Sequence, residues 1–267
     1  MTTILERILE TKRREVEVLR QRINREGPLP ERTVPFRSLA QRLRQDERLG
    51  VIAEIKRKSP SKGVLQANVD PAERARVYEQ GGASAISVLT DETYFHGALA
   101  DLRVARSAVQ LPVLRKDFVI DEVQVDEAVS AGADILLLIA AAMPADRLGE
   151  LSRYARSRGL EVLLEVHGED EVEAAVAAEP TLIGINNRDL RTFEVDLGTS
   201  ERVLQRLPEG TLAIAESGIM TREDAQRMAA AGARGILVGE LLMRHADLAS
   251  VRTQVADLRV PLGAVAK

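Results

Sequence analysis

Short apolar runs alternate with longer amphipathic stretches through most of this chain, the pattern of βα units around a parallel sheet. Eight runs predict strands: "VIAEI" from residue 51, "SAISVL" from 84, "PVLRK" from 112, "DILLLI" from 134, "EVLLEV" from 161, "LIGIN" from 182, "LAIAES" from 212 and "GILVG" from 235. The segments between them show helical spacing, as with Val123, Ala128 and Val129 or Leu148, Leu151 and Tyr154. A weak repeat, "GGASAISVL", "AGADILLLI" and "AGARGILVG", puts Gly82, Gly132 and Gly232 at helix ends two residues before a strand. These glycines stand 50 and then 100 residues apart, whole multiples of a βα unit of about 25 residues. The α/β fold expected is a single (β/α)8 TIM barrel, favoured over an open doubly wound sheet because no Gly-rich dinucleotide turn follows a strand.

The first 48 residues differ in character. Ile4, Leu5, Ile8 and Leu9, then Val16, Leu19 and Ile23, form a helical stripe; "GPLP" breaks it, and "FRSLAQRLR" predicts a second helix. Residues 1–48 are expected to be an N-terminal helical extension packed on the barrel and helping to cover its mouth, and residues 49–267 the catalytic barrel domain.

Composition narrows the function. The 267 residues are nearly half hydrophobic and carry a net charge of -4, which gives no global attraction to nucleic acid or anionic membranes. There is no cysteine, so disulfides, thiolate metal sites and a Cys nucleophile are excluded together. The longest apolar run, "ILLLIAAAM", is too short for a membrane span, and the Arg- and Glu-rich start does not read as a signal peptide. The expectation is a cytoplasmic protein, a monomer or weak oligomer, with a small-molecule partner rather than nucleic acid or membrane. His96, His167 and His245 show no metal-ligand spacing, so neither metal nor cofactor is expected.

Polar residues gather where strands end, and in such a barrel the active site lies at that mouth. Glu54 and Lys56 close the first strand on one face, Lys116 the third, Glu165 the fifth, Asn186 the sixth, and Glu216 and Ser217 the seventh. One such residue is ordinarily a solvated rim group; several at the same end point to mutual pairing around a polar ligand. Gly218 after strand seven and Gly239 after strand eight lie in the two loops that commonly cradle phosphate in these barrels. The loop "KRKSPSKG" adds positive charge and a hinge at Gly63, which reads as a mobile lid over an anionic substrate.

Together "AEIKRKSPSKG", "SVLTDETYFHG", "PVLRKDF", "IGINNRDLRTFEVDL", "AESGI" and "VGELLM" resemble the indole-3-glycerol-phosphate synthases, ring-closing enzymes of tryptophan biosynthesis. The resemblance runs from about residue 50 to residue 243 in the family's order. It implies a carboxy-lyase that converts 1-(2-carboxyphenylamino)-1-deoxyribulose 5-phosphate to indole-3-glycerol phosphate, with loss of carbon dioxide and water. By similarity Lys116 is the general acid and Glu165 the base. Lys56 is a second lysine facing the substrate carboxylate, with Glu54 orienting it, and Asn186 and Glu216 hold ribulosyl hydroxyls or the anilino nitrogen. Ser59, Ser217, Gly218 and Gly239 fall where the family handles phosphate. Arg188 lies near the mouth, and Phe95, Phe118 and Leu190 would wall the anthranilate ring. Glu240 departs from members that have Ser there, and is expected to turn its carboxylate away and offer its backbone amide to phosphate. The alternatives weighed are a sugar-phosphate isomerase, which has no use for a second lysine, and a non-catalytic helical partner protein, which leaves the mouth charges unexplained.

Overall fold

The computed structural model describes residues 3–245 and 247–263. Eight parallel strands close into a barrel: β1 (Gly50–Ile55), β2 (Ala85–Leu89), β3 (Val113–Lys116), β4 (Ile135–Ile139), β5 (Glu161–Val166), β6 (Leu182–Asn186), β7 (Ala213–Glu216) and β8 (Gly235–Val238). Each pairs with the next in sequence, and β8 returns to β1 with Gly50 opposite Gly235. All eight predicted strands are present.

Two-residue alternation divides each strand between two cores. Val51, Ala53 and Ile55 face outward to the surrounding helices, whereas Ile52, Leu114, Leu163, Ile214 and Leu237 fill the barrel interior. Two residues further along the inward face come Glu54, Lys116, Glu165, Glu216 and Gly239. The middle of the interior is therefore apolar, and Glu54, Lys116, Glu165 and Glu216 each sit one inward position past an aliphatic residue.

Two helices precede the barrel, α1 (Ile4–Glu26) and α2 (Leu39–Gln45). In α1 the Thr3 hydroxyl accepts from the Glu6 amide while Glu6 reaches back to the Thr3 amide, a reciprocal cap on the first turn. The expected covering of the mouth holds for α1, whose Ile4, Leu5 and Ile8 line the cavity there. It does not hold for α2, which goes to the opposite end: Leu39, Ala40 and Leu43 join the interior aliphatics of the barrel from below. Glu161, at the start of β5, fixes it there by accepting hydrogen bonds from Ser38 and from the amides of Leu39 (2.9 Å) and Ala40 (3.2 Å). A carboxylate at a helix N-terminus offsets the free amides and the positive end of the helix dipole.

The docking of α1 is ionic at its centre. Lys12 is 2% exposed and lies 2.8 Å from Asp91, after β2, and 2.9 Å from Asp117, after β3. Burial opposes its charge, but Asp117 and Asp91 outweigh that and hold the ammonium above its ordinary value. Buried charges cost several kcal/mol unless paired, so the three residues require one another. Among the described residues, no helix is long and apolar enough to cross a membrane.

Candidate active site

The mouth of the barrel holds a cavity whose floor is ionic. Lys116 Nζ donates to Glu165 Oε2 at 2.5 Å and to Glu216 Oε2 at 2.8 Å. The other oxygen of Glu165 accepts from Asn186 Nδ2 at 3.2 Å. These groups come from β3, β5, β6 and β7, and register sets their level: Asn186 stands opposite Glu216, and Glu165 opposite Gly184. Gly184 leaves room for this arrangement, because a Cβ at that position would displace the Glu216 carboxylate.

The charges do not titrate alike. Burial opposes ionisation of all three groups. For Lys116 the carboxylates of Glu165 and Glu216 prevail and raise it, whereas Lys116 together with His167 holds Glu165 well below the usual carboxylate range. Glu216 is pushed up to about 8, by burial and by the charge of Glu165, against the pull of Lys116. Two carboxylates sharing one cation do not ionise equally. At neutral pH the floor thus offers a protonated amine, an ionised carboxylate and a neutral carboxylic acid, a set suited to giving and taking protons.

Lys56, one residue past β1, is paired with Glu54. Gly239 packs against this pair so closely that a Cβ there would strike the Glu54 carboxylate. On another wall Phe95 and Phe118 stack at 5.9 Å between centroids and 36° between planes, with Leu190 also lining the cavity. Ser59, Arg188, Ser217, Gly218, Gly239 and Glu240 line it as well, so every site residue expected from sequence reaches one cavity or its rim.

Glu240 lies at the rim of the cavity. Its carboxylate stands 3.6 Å from both Lys62 and Arg188 and is bound by Arg244. Two cations on loops over the mouth hold it there. The basic loop after β1 forms a small ribbon, Lys58–Ser59 against Gly63–Val64, and Gly63 adopts the positive φ of 70° that the turn needs.

Three residues escaped the reading of the sequence. Asn187 turns to the side opposite Asn186; its Nδ2 donates to the Ser217 carbonyl (3.1 Å), and its oxygen accepts from Ser200. It thereby holds Ser217, at φ 65°, in a left-handed conformation disfavoured for a residue with a Cβ. Lys12 underpins the loops that carry Phe95 and Phe118. His167 follows β5 on the inward face, with its Nε2 3.2 Å from Glu165 Oε1. The signal for His167 was available, since Glu165 and His167 repeat the two-residue spacing of Glu54 and Lys56.

A closed (β/α)8 barrel with an acid–base floor, an aromatic wall and a cationic rim defines an enzyme for a small anionic molecule. The chain belongs to the indole-3-glycerol phosphate synthase family, whose model matches residues 5–255. It is 49% identical over 261 residues to an indole-3-glycerol phosphate synthase of Oceanobacillus iheyensis, covering 97% of this chain and 98% of that one. To the enzyme of the same name from Halalkalibacterium halodurans it is 50% identical over 244 residues, covering 90% and 92%. Among solved structures, thiamine phosphate pyrophosphorylase from Pyrococcus furiosus superposes with a TM-score of 0.59 at 18% identity, covering 83% of this chain and 96% of that one. The N-acetylmannosamine-6-phosphate 2-epimerase of Clostridium perfringens gives 0.60 at 14% identity, covering 79% and 93%. At such identities the structural likeness speaks to the fold alone.

Proposed function

We propose that this chain closes 1-(2-carboxyphenylamino)-1-deoxyribulose 5-phosphate to indole-3-glycerol phosphate. In this reading Lys116 protonates the C2′ ketone as the ring carbon attacks it, carbon dioxide departs, and Glu165 removes the proton that allows water to leave. Lys56, oriented by Glu54, faces the substrate carboxylate and supports loss of the hydroxyl. Asn186 and Glu216 hold the polar middle of the substrate. Phe95, Phe118 and Leu190 flank the anthranilate ring, because an aromatic ligand wants apolar walls. The phosphate lies toward Ser59, Arg188, Ser217, Gly218, Gly239 and the amide of Glu240.

The observation that carries the proposal is Lys116 bound to two buried carboxylates beside a stacked aromatic pair. A weak carbon nucleophile needs a strongly activated carbonyl, and an ammonium in a low-dielectric pocket supplies that activation. Residues 1–48 act as an extension of a single catalytic domain, 49–267. We place the enzyme in the cytoplasm as a monomer or weak oligomer that does not engage nucleic acid.

The chain has no tryptophan, which makes the test direct. Mixing protein with the carboxyphenylamino substrate should raise indole-type fluorescence over a background free of tryptophan emission, with one carbon dioxide released per indole. A folded preparation that yields neither refutes the proposal.

A further inference from the structure

His167 has so far been given only an influence on the charge of Glu165, yet its surroundings are unusual. Both ring nitrogens are buried and lack a hydrogen-bond partner. Each nevertheless stands near a carboxylate: Nε2 is 3.2 Å from Glu165 Oε1, and Nδ1 is 3.6 Å from Glu171 Oε2. Glu171 is itself anchored, accepting the His167 amide at 2.7 Å. Exposure rises along this line, from 4% at Glu165 through 12% at His167 to 22% at Glu171. A buried ring therefore bridges the ionic floor of the cavity and a solvent-accessible carboxylate.

The reaction proposed above, on which this inference rests, has a need that the line meets. The ketone oxygen takes one proton when the new carbon–carbon bond forms and another when it leaves as water. One proton comes off the former C1′ carbon, and its bonding pair becomes the new indole double bond. The substrate carboxylate departs as neutral carbon dioxide, leaving its bonding pair to the ring. Two protons are used and one returned, so each turnover draws one proton from solvent.

We propose that Glu171 and His167 form the path by which that proton reaches Glu165 and, through it, Lys116. Histidine suits a relay because its two nitrogens exchange protons on opposite sides of one ring. The ionisable groups acting on the ring are Glu165 and Glu171, with Lys116 and Glu216 behind Glu165. Burial disfavours the cationic ring, but these two carboxylates prevail and push His167 up to about 10, so at neutral pH it holds a proton in reserve. While Lys116 is charged, Glu165 remains a weak base. Once Lys116 has given up its proton, Glu165 loses that cation and accepts one from His167, which is refilled from Glu171 and water. Glu165 then passes the proton across its hydrogen bond to Lys116, which gives it to the departing hydroxyl, and the proton that Glu165 next takes from the former C1′ carbon crosses the same bond to restore Lys116.

The test separates the two protonations of the ketone oxygen. With enzyme in excess, His167→Gln should release carbon dioxide at the wild-type rate, since Lys116 begins protonated, whereas indole should form more slowly, since dehydration draws on the relay. With substrate in excess its turnover should fall about tenfold, the deficit widening as pH rises and shrinking on addition of imidazole. Glu171→Gln, nearer the surface, should show the same signature more weakly, and it serves alone if His167→Gln does not fold. Wild-type steady-state turnover in both variants would overturn the relay. So would equal losses in carbon dioxide release and indole formation without imidazole rescue, which is the mark of a structural role. Absence of indole from the wild-type protein overturns the proposed function and the relay with it, and is distinguishable because no variant is involved.

Discussion

Lys116 and Glu165 are joined by a single hydrogen bond of 2.5 Å, so the proposed acid and the proposed base are direct neighbours. Each sets the charge of the other. Removing either should therefore give a different failure, not two degrees of the same one.

Lys116→Met removes the proton donor and the charge that activates the ketone. Turnover should fall by about 10²- to 10⁴-fold. The fold should persist, because Glu165 and Glu216 can share a proton once the cation is gone. Steady-state kinetics with circular dichroism checks this, and a variant retaining most of its turnover would move the acid role to Lys56.

Glu165→Gln keeps the shape of the side chain but accepts no proton. In a first turnover, ring closure and decarboxylation should proceed while dehydration stalls, so quenched samples should contain a decarboxylated, still hydroxylated intermediate. If carbon dioxide release drops as steeply as indole formation, the base acts earlier than proposed.

Glu216 carries a signed pH effect. Its folded value of about 8 lies above the unfolded one, so between those limits the folded state holds a proton that the unfolded chain has released. Stability should therefore decline as pH rises from the ordinary glutamate range through about 8. His167, raised to about 10 from an ordinary 6.5, acts in the same direction at higher pH. Glu216→Gln should flatten the lower part of a plot of Tm against pH. A slope unchanged by the substitution would show that Glu216 is ionised throughout.

Lys12→Met leaves Asp91 buried without its cation and Asp117 with Arg115 alone, a disruption worth about 3–5 kcal/mol. Tm should drop, and KM should rise as α1 loosens from the loops bearing Phe95 and Phe118. Lys12→Arg should recover part of both. An unchanged KM at reduced Tm would limit α1 to a stabilising role.

Glu240→Ser removes a negative charge from the rim at which the substrate phosphate is placed, and frees Lys62 and Arg188. KM should fall, and inorganic phosphate should inhibit more strongly. A higher KM would mean that the carboxylate holds those two cations in their working positions.

The barrel was legible in the sequence because parallel strands buried on both faces appear as continuous apolar runs. The site was legible for a related reason: Glu54, Lys116, Glu165 and Glu216 each interrupt or end such a run, where a charge needs a partner. Lys12 was hidden because it lies in a helix dense with Arg and Glu, and its two aspartates are remote in sequence. The run "FRSLAQRLR" predicted a second helix but carried no information about which end of the barrel it would meet. For Glu240 the sequence carried the repulsion from a phosphate but not the Lys62 and Arg188 side chains that the fold brings beside its carboxylate.

The docking of α2 also bears on how the chain reaches its native state. Leu39, Ala40 and Leu43 belong to the barrel interior alongside Ile52 and Leu237, residues contributed by the first strand and the last. A ribosome releases α2 before any strand and β8 after all the others, so the apolar side of this helix must wait for its socket while the barrel is made. Contacts of such sequence separation slow folding and leave adhesive surface uncovered in the interim. Refolding yield should accordingly fall with protein concentration, and a separately added peptide spanning α2 should compete for the unfinished barrel.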